Sequence, residues 1–148
     1  MNDLENAMCA YERHRQAQAR LNESNKGAVF DALANASITE VHVDFDGEGD
    51  SGQINGVAAF TGNQPAALPK TTVTIQSVSW GSTEAVATQA TLEEAVETLC
   101  YGYLEETHGG WENNDGAHGE FRFDVAKRAI ELEFHGRYTD TWTDTHSF

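Results

Sequence analysis

Basic residues are scarce in this sequence. Nine Lys and Arg stand against 24 Asp and Glu, which gives a formal net charge of −15. Residues 1–36 hold four basic and five acidic side chains and are nearly neutral at −1, so residues 37–148 carry −14. Such a field repels nucleic acid and anionic membranes and attracts basic protein surfaces. The charge predicts a basic protein partner, with no direct nucleic-acid binding and no membrane binding.

Long apolar runs, a secretory leader and paired cysteines are also lacking. No apolar run approaches the roughly 20 residues that span a bilayer. The N-terminus "MNDLENAMCAYERHR" has neither a basic region nor an apolar segment, so we expect a cytoplasmic protein. Cys9 and Cys100 fall on predicted helices without metal-ligand spacing, which favours two reduced thiols.

Signatures of catalysis and of cofactor binding are absent from the sequence. There is no P-loop, no GxGxxG before a helix and no nucleophile elbow, and the six histidines form no HxH or HxxxH pattern. We therefore expect no catalytic residue, no cofactor and no resident metal ion. A binding protein is favoured over an enzyme.

Two helices are predicted in the N-terminal segment. Apolar residues at helical spacing run from Asp3 to about Leu21, although the middle, "RHRQAQAR", is strongly polar. The stretch "NESNKG" interrupts this helix, and Ser24 or Asn25 would cap a second one that ends at "NAS".

Alternation of apolar and polar residues predicts the strands. The runs "ITEVHVDFD", "EFRFDV" and "AIELEFH" have a period of two, with one wet face each. The first turns at "GEGDSG" into a returning strand, and the last two form a hairpin through "AKRA". "TTVTIQSVSW" is a further β-rich run, "GSTEAVATQA" has no clear assignment, and the tail "GRYTDTWTDTHSF" fits an edge strand. A capping box at Thr91 and Glu94 opens a helix that Gly109 and Gly110 end.

These elements predict an α+β fold in a single domain over residues 1–148. Residues 1–36 form a helical N-terminal segment, and residues 37–148 form an acidic α+β core. Two N-terminal helices would precede a mostly antiparallel sheet with one crossover helix and a C-terminal β-hairpin. Helices would cover the apolar face of the sheet, and the opposite face would be rich in carboxylates.

The stretch "VHVDFDGEGDSGQI" fits three kinds of structure. Its Gly-Asp-Ser-Gly around Ser51 is similar to a serine-protease nucleophile, but Gln53 follows where Gly is usual and no His signature accompanies it. A calcium loop that starts at Asp44 fails at Ser51 and at Asn55, its eighth and twelfth positions. A hairpin with glycines in its turn is favoured. A looser cation site stays open as an alternative and would use Asp46, Glu48 and Asp50.

The loop "HGGWENNDGAH" is the densest polar cluster of the sequence. A zinc or catalytic site there would need two or three converging ligands and an open position. A glycine-rich loop that Trp111 anchors is the favoured structure, and a metal-dependent or hydrolytic activity is the alternative. The residues of this polar loop are His108, Trp111, Glu112, Asn113, Asn114, Asp115 and His118.

Three stretches resemble an uncharacterised family of short acidic proteins from bacteria, phages and plasmids. They are "FDGEGDSGQI", "HGGWENNDGAHGEFRFDV" and "ELEFHGRYTDTWTDTHSF". The resemblance covers about residues 38–60 and 92–148 and leaves out residues 1–36. It implies a setting on a mobile genetic element, and it carries over no catalytic residue.

A small acidic protein of a mobile element, without catalytic motifs, suits an inhibitor of host defence. We therefore predict an inhibitor of anti-CRISPR or anti-restriction type that binds a basic, nucleic-acid-binding surface of a CRISPR or restriction complex. The neutral N-terminal helices are a second candidate recognition element, and a housekeeping binding domain that is acidic for solubility is a further alternative. The predicted partner-binding residues are Glu40, Asp44, Asp46, Glu48, Asp50, Glu131 and Glu133.

Overall fold

The computed structural model of the chain describes residues 3–48, 51–78, 84–108, 116–137, 143 and 145–147. Two sheets are present in this part: a five-stranded sheet with the order β3-β2-β1-β6-β7, and a two-stranded sheet of β4 and β5. All strand pairings in it are antiparallel, and the α+β class is confirmed. The elements are α1 (Asp3–Asn35), β1 (Glu40–Glu48), β2 (Ser51–Thr61), β3 (Gln64–Ala66), β4 (Thr72–Val78), β5 (Ala85–Thr91), α2 (Leu92–His108), β6 (Ala117–Asp124) and β7 (Ala129–Gly136).

A single helix occupies the N-terminal segment, so the prediction of two helices is wrong. The stretch "NESNKG" continues α1 because its asparagines are buried and bonded across the tertiary structure. Asn25 Nδ2 donates to the Gln76 carbonyl at 2.9 Å, and Asn25 Oδ1 accepts from the Gln76 amide at 2.8 Å. Asn side chains favour caps when they bond locally, but here the partner is on β4.

The C-terminus of α1 directs the chain into β1. Ser37 adopts the left-handed conformation at φ 61°. The amide of Ile38 donates to the Leu33 carbonyl, and the amide of Ser37 donates to the Ala34 carbonyl, both at 3.0 Å. This is the Schellman arrangement, completed by the buried pair Ile38 and Leu33.

The capping box of α2 forms as predicted, but the helix does not cross over within one sheet. The Glu94 amide donates to Thr91 Oγ1 at 3.2 Å, and the Thr91 amide donates to Glu94 Oε2 at 3.3 Å. "GSTEAVATQA" supplies β5, which pairs only with β4 among the described strands. α2 therefore leads from this separate hairpin to β6 in the larger sheet. The other edge of β4 faces α1, where the backbone N–H and C=O groups of Gln76 are hydrogen-bonded to the Asn25 side chain.

The helices cover one face of the five-stranded sheet and form the core with it. The rings of Phe30 on α1 and Phe123 on β6 meet with centroids 5.9 Å apart. Arg128, in the turn after β6, clamps this packing: it donates to Asp31 Oδ1 at 3.0 Å and to the Gly27 carbonyl at 3.1 Å. The largest fully buried side chains are Phe30, Phe45, Phe121, Phe123, Leu33, Leu92, Leu99, Leu104, Val29, Val41, Val43 and Val96.

Gly119 lies where a side chain has no room between β6 and its neighbours. A Cβ atom at this position would collide with the Glu133 carbonyl and would lie 2.9 Å from the Phe45 ring. Phe45 therefore covers β6 where that strand has no side chain of its own.

The two cysteines are free thiols in different surroundings. Cys9 is exposed and Cys100 is buried in the core, where burial raises the pKa of its thiol well above the ordinary value. Neither described helix is long and apolar enough to cross a membrane.

Candidate functional site

On the face of the five-stranded sheet that the helices do not cover, most side chains of β1, β6 and β7 are charged or polar. Polar side chains alternate with core residues along β1, β6 and β7, and those of Arg122, Glu133 and His135 are about half exposed, at 51%, 55% and 49%. We call this surface the acidic face. Its members are Glu40, His42, Asp44, Asp46, His118, Glu120, Arg122, Asp124, Glu131, Glu133 and His135.

Three carboxylates stand in register across the middle of the acidic face. Asp44 on β1 pairs in register with Glu120 on β6, which pairs with Glu133 on β7. Directly opposite residues have Cβ atoms about 4.5–5.5 Å apart, so this carboxylate row extends over roughly 10 Å. Like charges directly opposite destabilise a sheet. Stability therefore does not explain why three carboxylates share this row, although neighbouring groups offset part of the repulsion.

Rows that contain basic or imidazole groups border the carboxylate row on both sides. On one side, His42, Arg122 and Glu131 are in register. On the other side, Asp46, His118 and His135 are in register.

Acid and base are also paired along each strand, at a spacing of two residues. The Arg122 guanidinium donates to Glu120 at 2.6 Å, and this hydrogen bond raises the pKa of Arg122. The pairing leaves Asp44 and Glu131 with no ion pair and no side-chain hydrogen bond to any described residue. The other two same-strand pairs are Glu40 with His42, at 2.8 Å, and Glu133 with His135, at 2.9 Å.

Arg137 closes one end of the acidic face. Its Nη1 lies 2.9 Å from Asp46 Oδ1 and also donates to the carbonyls of Gly47 at 3.1 Å and Ala117 at 3.3 Å. The hydrogen bond from Arg137 holds the pKa of Asp46 below its ordinary value. Asp46 stays ionised, but part of its charge is offset by this neighbour.

The acidic face remains strongly negative after all pairings. Its seven carboxylates, set against the guanidinium groups of Arg122 and Arg137, leave a charge of −5 with neutral histidines. This surface can therefore attract cationic groups.

Five of the seven predicted partner-binding residues lie together on the acidic face. β1 and β7 are not neighbours, because β6 lies between them. The backbone of Glu48 ends β1, but its side chain and the whole of Asp50 lie outside the described residues. The five residues are Glu40, Asp44, Asp46, Glu131 and Glu133.

The described ends of the polar loop lie on opposite faces of the sheet. His108 stacks on Phe134 of the covered face, with centroids 3.7 Å apart, whereas His118 stands on the acidic face beside His135. The two histidines therefore do not come together. In the part of the chain that the structure describes, no group of three His, Cys, Asp or Glu residues is placed to hold a metal ion. Outside it lie Trp111, Glu112, Asn113, Asn114 and Asp115.

Several members of the acidic face were not among the predicted site residues. The signal that could have found them is a repeated acid-x-base pattern: "EVH" in β1, "EFR" in β6 and "EFH" in β7. On a strand this spacing puts both groups on one face. The pattern would have found His42, Glu120, Arg122 and His135, whereas Asp124 on the acidic face and Arg137 at its end lie outside it.

A family model matches residues 21–148. The chain belongs to DUF6878, a family of unknown function. The matched region contains the whole acidic face and begins next to Asn22, the first buried residue of α1 among the side chains described. Residues 1–20, and with them more than half of α1, lie outside the DUF6878 match. No curated protein and no solved structure matches the chain.

Proposed function

We propose that the acidic face binds a basic surface of a partner protein, of the kind that binds nucleic acid. The observation that carries this proposal is the carboxylate row of Asp44, Glu120 and Glu133. Asp44 has no ion pair to any described residue and faces carboxylates in its row, so a bound Lys or Arg would relieve the repulsion between them. Binding of a cationic side chain would therefore offset the repulsion between these carboxylates.

The spacing of the charges supports this kind of partner. Carboxylates repeat at roughly 6.5–7 Å along a strand and about 4.8 Å between strands. Duplex DNA carries one charge per 3.4 Å of axial rise on each strand, so a groove that binds it presents basic groups at comparable density. Asp44 and Glu131 add to the match because neither has an ion-pair partner among the described residues.

Charge reversal on the acidic face tests the proposal. The wild-type protein is first used to capture nucleic-acid-binding proteins from its host cell. The Asp44→Lys and Glu131→Lys variants should then bind these proteins at least about tenfold more weakly than the wild type does. The matched control is Glu105→Lys, because Glu105 is an exposed residue of α2 and the change in net charge is identical. Equal weakening by all three variants, or binding that is unchanged between low and high salt, would contradict a specific role for this face.

Inhibition of a defence complex is the specific form of the proposal that the resemblance to proteins of mobile elements favours. The test is a DNA-cleavage assay with purified CRISPR effectors and restriction enzymes. We expect the wild-type protein to slow cleavage by one of them, duplex DNA in excess to restore it, and Glu131→Lys to lose the inhibition. If no enzyme of the panel is slowed, the inhibitor form of the proposal is contradicted.

The N-terminal part of α1 is the second candidate for partner recognition. Deletion of residues 1–20 removes the part outside the family match and keeps Asn22, whose Nδ2 is 3.4 Å from Glu106 Oε2. Retained binding with an unchanged melting temperature would assign recognition to the acidic face. Lost binding with an intact fold would assign it to the helix.

A further inference from the structure

Two histidines form a cross-strand pair at the end of the acidic face. His118 on β6 and His135 on β7 are in register, and their rings stack with centroids 4.9 Å apart and planes within 16°. Both residues are exposed, so their rings can turn without disturbing the core. An in-register pair of imidazoles on one open sheet face places two metal-binding side chains next to each other.

The reach of the two side chains fits one metal ion. Cβ atoms of directly opposite residues are about 4.5–5.5 Å apart. A transition metal binds each imidazole nitrogen at about 2.0–2.1 Å, so two rings on neighbouring strands can share an ion between them. The rings have to rotate from their stacked position, and the exposed fraction of the His135 side chain, 49%, allows this.

The surroundings of the pair also favour a cation. Glu133 Oε1 lies 2.9 Å from Nε2 of His135, a carboxylate–imidazole contact that orients the ring and leaves Nδ1 for a metal. Asp46 is in register beside His118 and adds a negative charge on the other side. Arg137 opposes a cation, but its guanidinium is bonded to Asp46 and to the backbone of Gly47 and Ala117.

We propose that His118 and His135 form a bidentate site for a first-row transition-metal dication, with water as the remaining ligands. Imidazole suits Zn²⁺, Ni²⁺ and Cu²⁺, with Cu²⁺ the tightest of these, whereas Mg²⁺ and Ca²⁺ prefer oxygen ligands. Two protein ligands make an exchangeable site, open to solvent, instead of a closed structural one. The site is independent of the proposed function, because it requires no partner.

The acidic face contains its own control. His42 contacts Glu40 at 2.8 Å with the same two-residue spacing as His135 and Glu133. Its in-register neighbours are Arg122 and Ala58, so it has no second imidazole beside it. His42 is therefore a lone histidine next to a carboxylate, with Arg122 in the place of the second imidazole.

The test is a titration of tag-free full-length protein with Ni²⁺ and with Zn²⁺, monitored by equilibrium dialysis. We expect one ion per chain, and more than about tenfold weaker binding for His118→Asn and for His135→Asn, since loss of a ligand exceeds the cost of losing an outer-shell partner. His42→Asn should bind as the wild type does. Unchanged affinity of either pair variant, or equal weakening by His42→Asn, would overturn the proposal.

Thermal stability provides a second readout that does not depend on dialysis. An ion that joins β6 to β7 binds the folded state more tightly than the unfolded chain, so Ni²⁺ should raise the melting temperature of the wild type. Either pair variant should abolish that increase and still fold in the absence of metal, because both residues are exposed. An equal increase in the variants would show that the ion binds elsewhere.

The contact between Glu133 and His135 can be tested with a matched pair. Glu133→Gln should weaken Ni²⁺ binding about tenfold, as expected for an outer-shell partner. Glu131→Gln changes the charge equally on the same strand and face but removes no contact to His135. Equal weakening by the two variants would overturn the orienting role of Glu133.

Discussion

The two faces of the five-stranded sheet are built from the same strands but differ in burial and in charge. On the covered face, Val41, Val43 and Phe121 are fully buried, and the removal of their apolar surface from water favours folding. On the acidic face, their neighbours Asp44 and Glu120 stand in register with like charges close by. Folding energy therefore comes mainly from one face, which leaves the other free to carry an arrangement that serves binding.

Truncation on the covered face should have the largest effect. Phe121→Ala leaves a cavity among the rings of Phe45 and its neighbours, and we expect the free energy of unfolding to fall by about 3–5 kcal/mol. Denaturant unfolding measures this change. Glu131→Ala, on the acidic face, should stay within about 0.5 kcal/mol of the wild type. Similar losses for both variants would contradict the contrast between the faces.

The hydrogen bonds that fix α1 to β4 come next in size. Asn25→Ala removes two bonds to the Gln76 backbone and leaves those groups without their partner, so we expect a loss of about 1–3 kcal/mol. Ser24→Ala is the control, because Ser24 is an exposed neighbour on the same helix. A loss no larger than that of the control would mean that water replaces the side chain at no cost.

Relief of the carboxylate row should stabilise the protein. Asp44→Asn removes one of three in-register charges, and we expect a gain of about 0.2–1 kcal/mol that shrinks as salt screens the repulsion. Glu105→Gln, on the exposed side of α2, tests whether the gain reflects only the lower net charge. Urea titrations at low and high salt distinguish these causes. A destabilised Asp44→Asn variant would show that the row is not repulsive.

The smallest expected effect is the pH dependence at Asp46. The pKa of this residue is lowered in the folded state, so its contribution to stability is present above the unfolded-state pKa and is lost as the pH falls through the folded value. Solvent screening keeps the contribution small because Asp46 lies at the surface. Arg137→Gln should raise the pKa of Asp46 toward its ordinary value in an NMR titration, and Arg122→Gln should not.

The edge strand β3, which contains Pro65, was not predicted, whereas local patterns predicted β1, β2, β6 and β7, the capping box and five residues of the acidic face. Each depends on residues within one strand or one helical turn, such as the alternation around Val43 or the contact of Thr91 with Glu94. The two-helix prediction failed because Asn25 bonds to Gln76, 51 positions away. β5 was not assigned because its run is almost entirely exposed and lacks the alternation that marks a half-buried strand.

By itself, the sequence determined which side chains share a face, because a strand has a period of two wherever it lies in the fold. That period placed Asp44, Asp46, Glu131 and Glu133 opposite the core before any strand order was known. Only the tertiary structure decided that β6 separates β1 from β7, which aligns Asp44, Glu120 and Glu133 in one row and sets His118 beside His135. Strand order and register are contacts between distant segments, and local periodicity does not encode them.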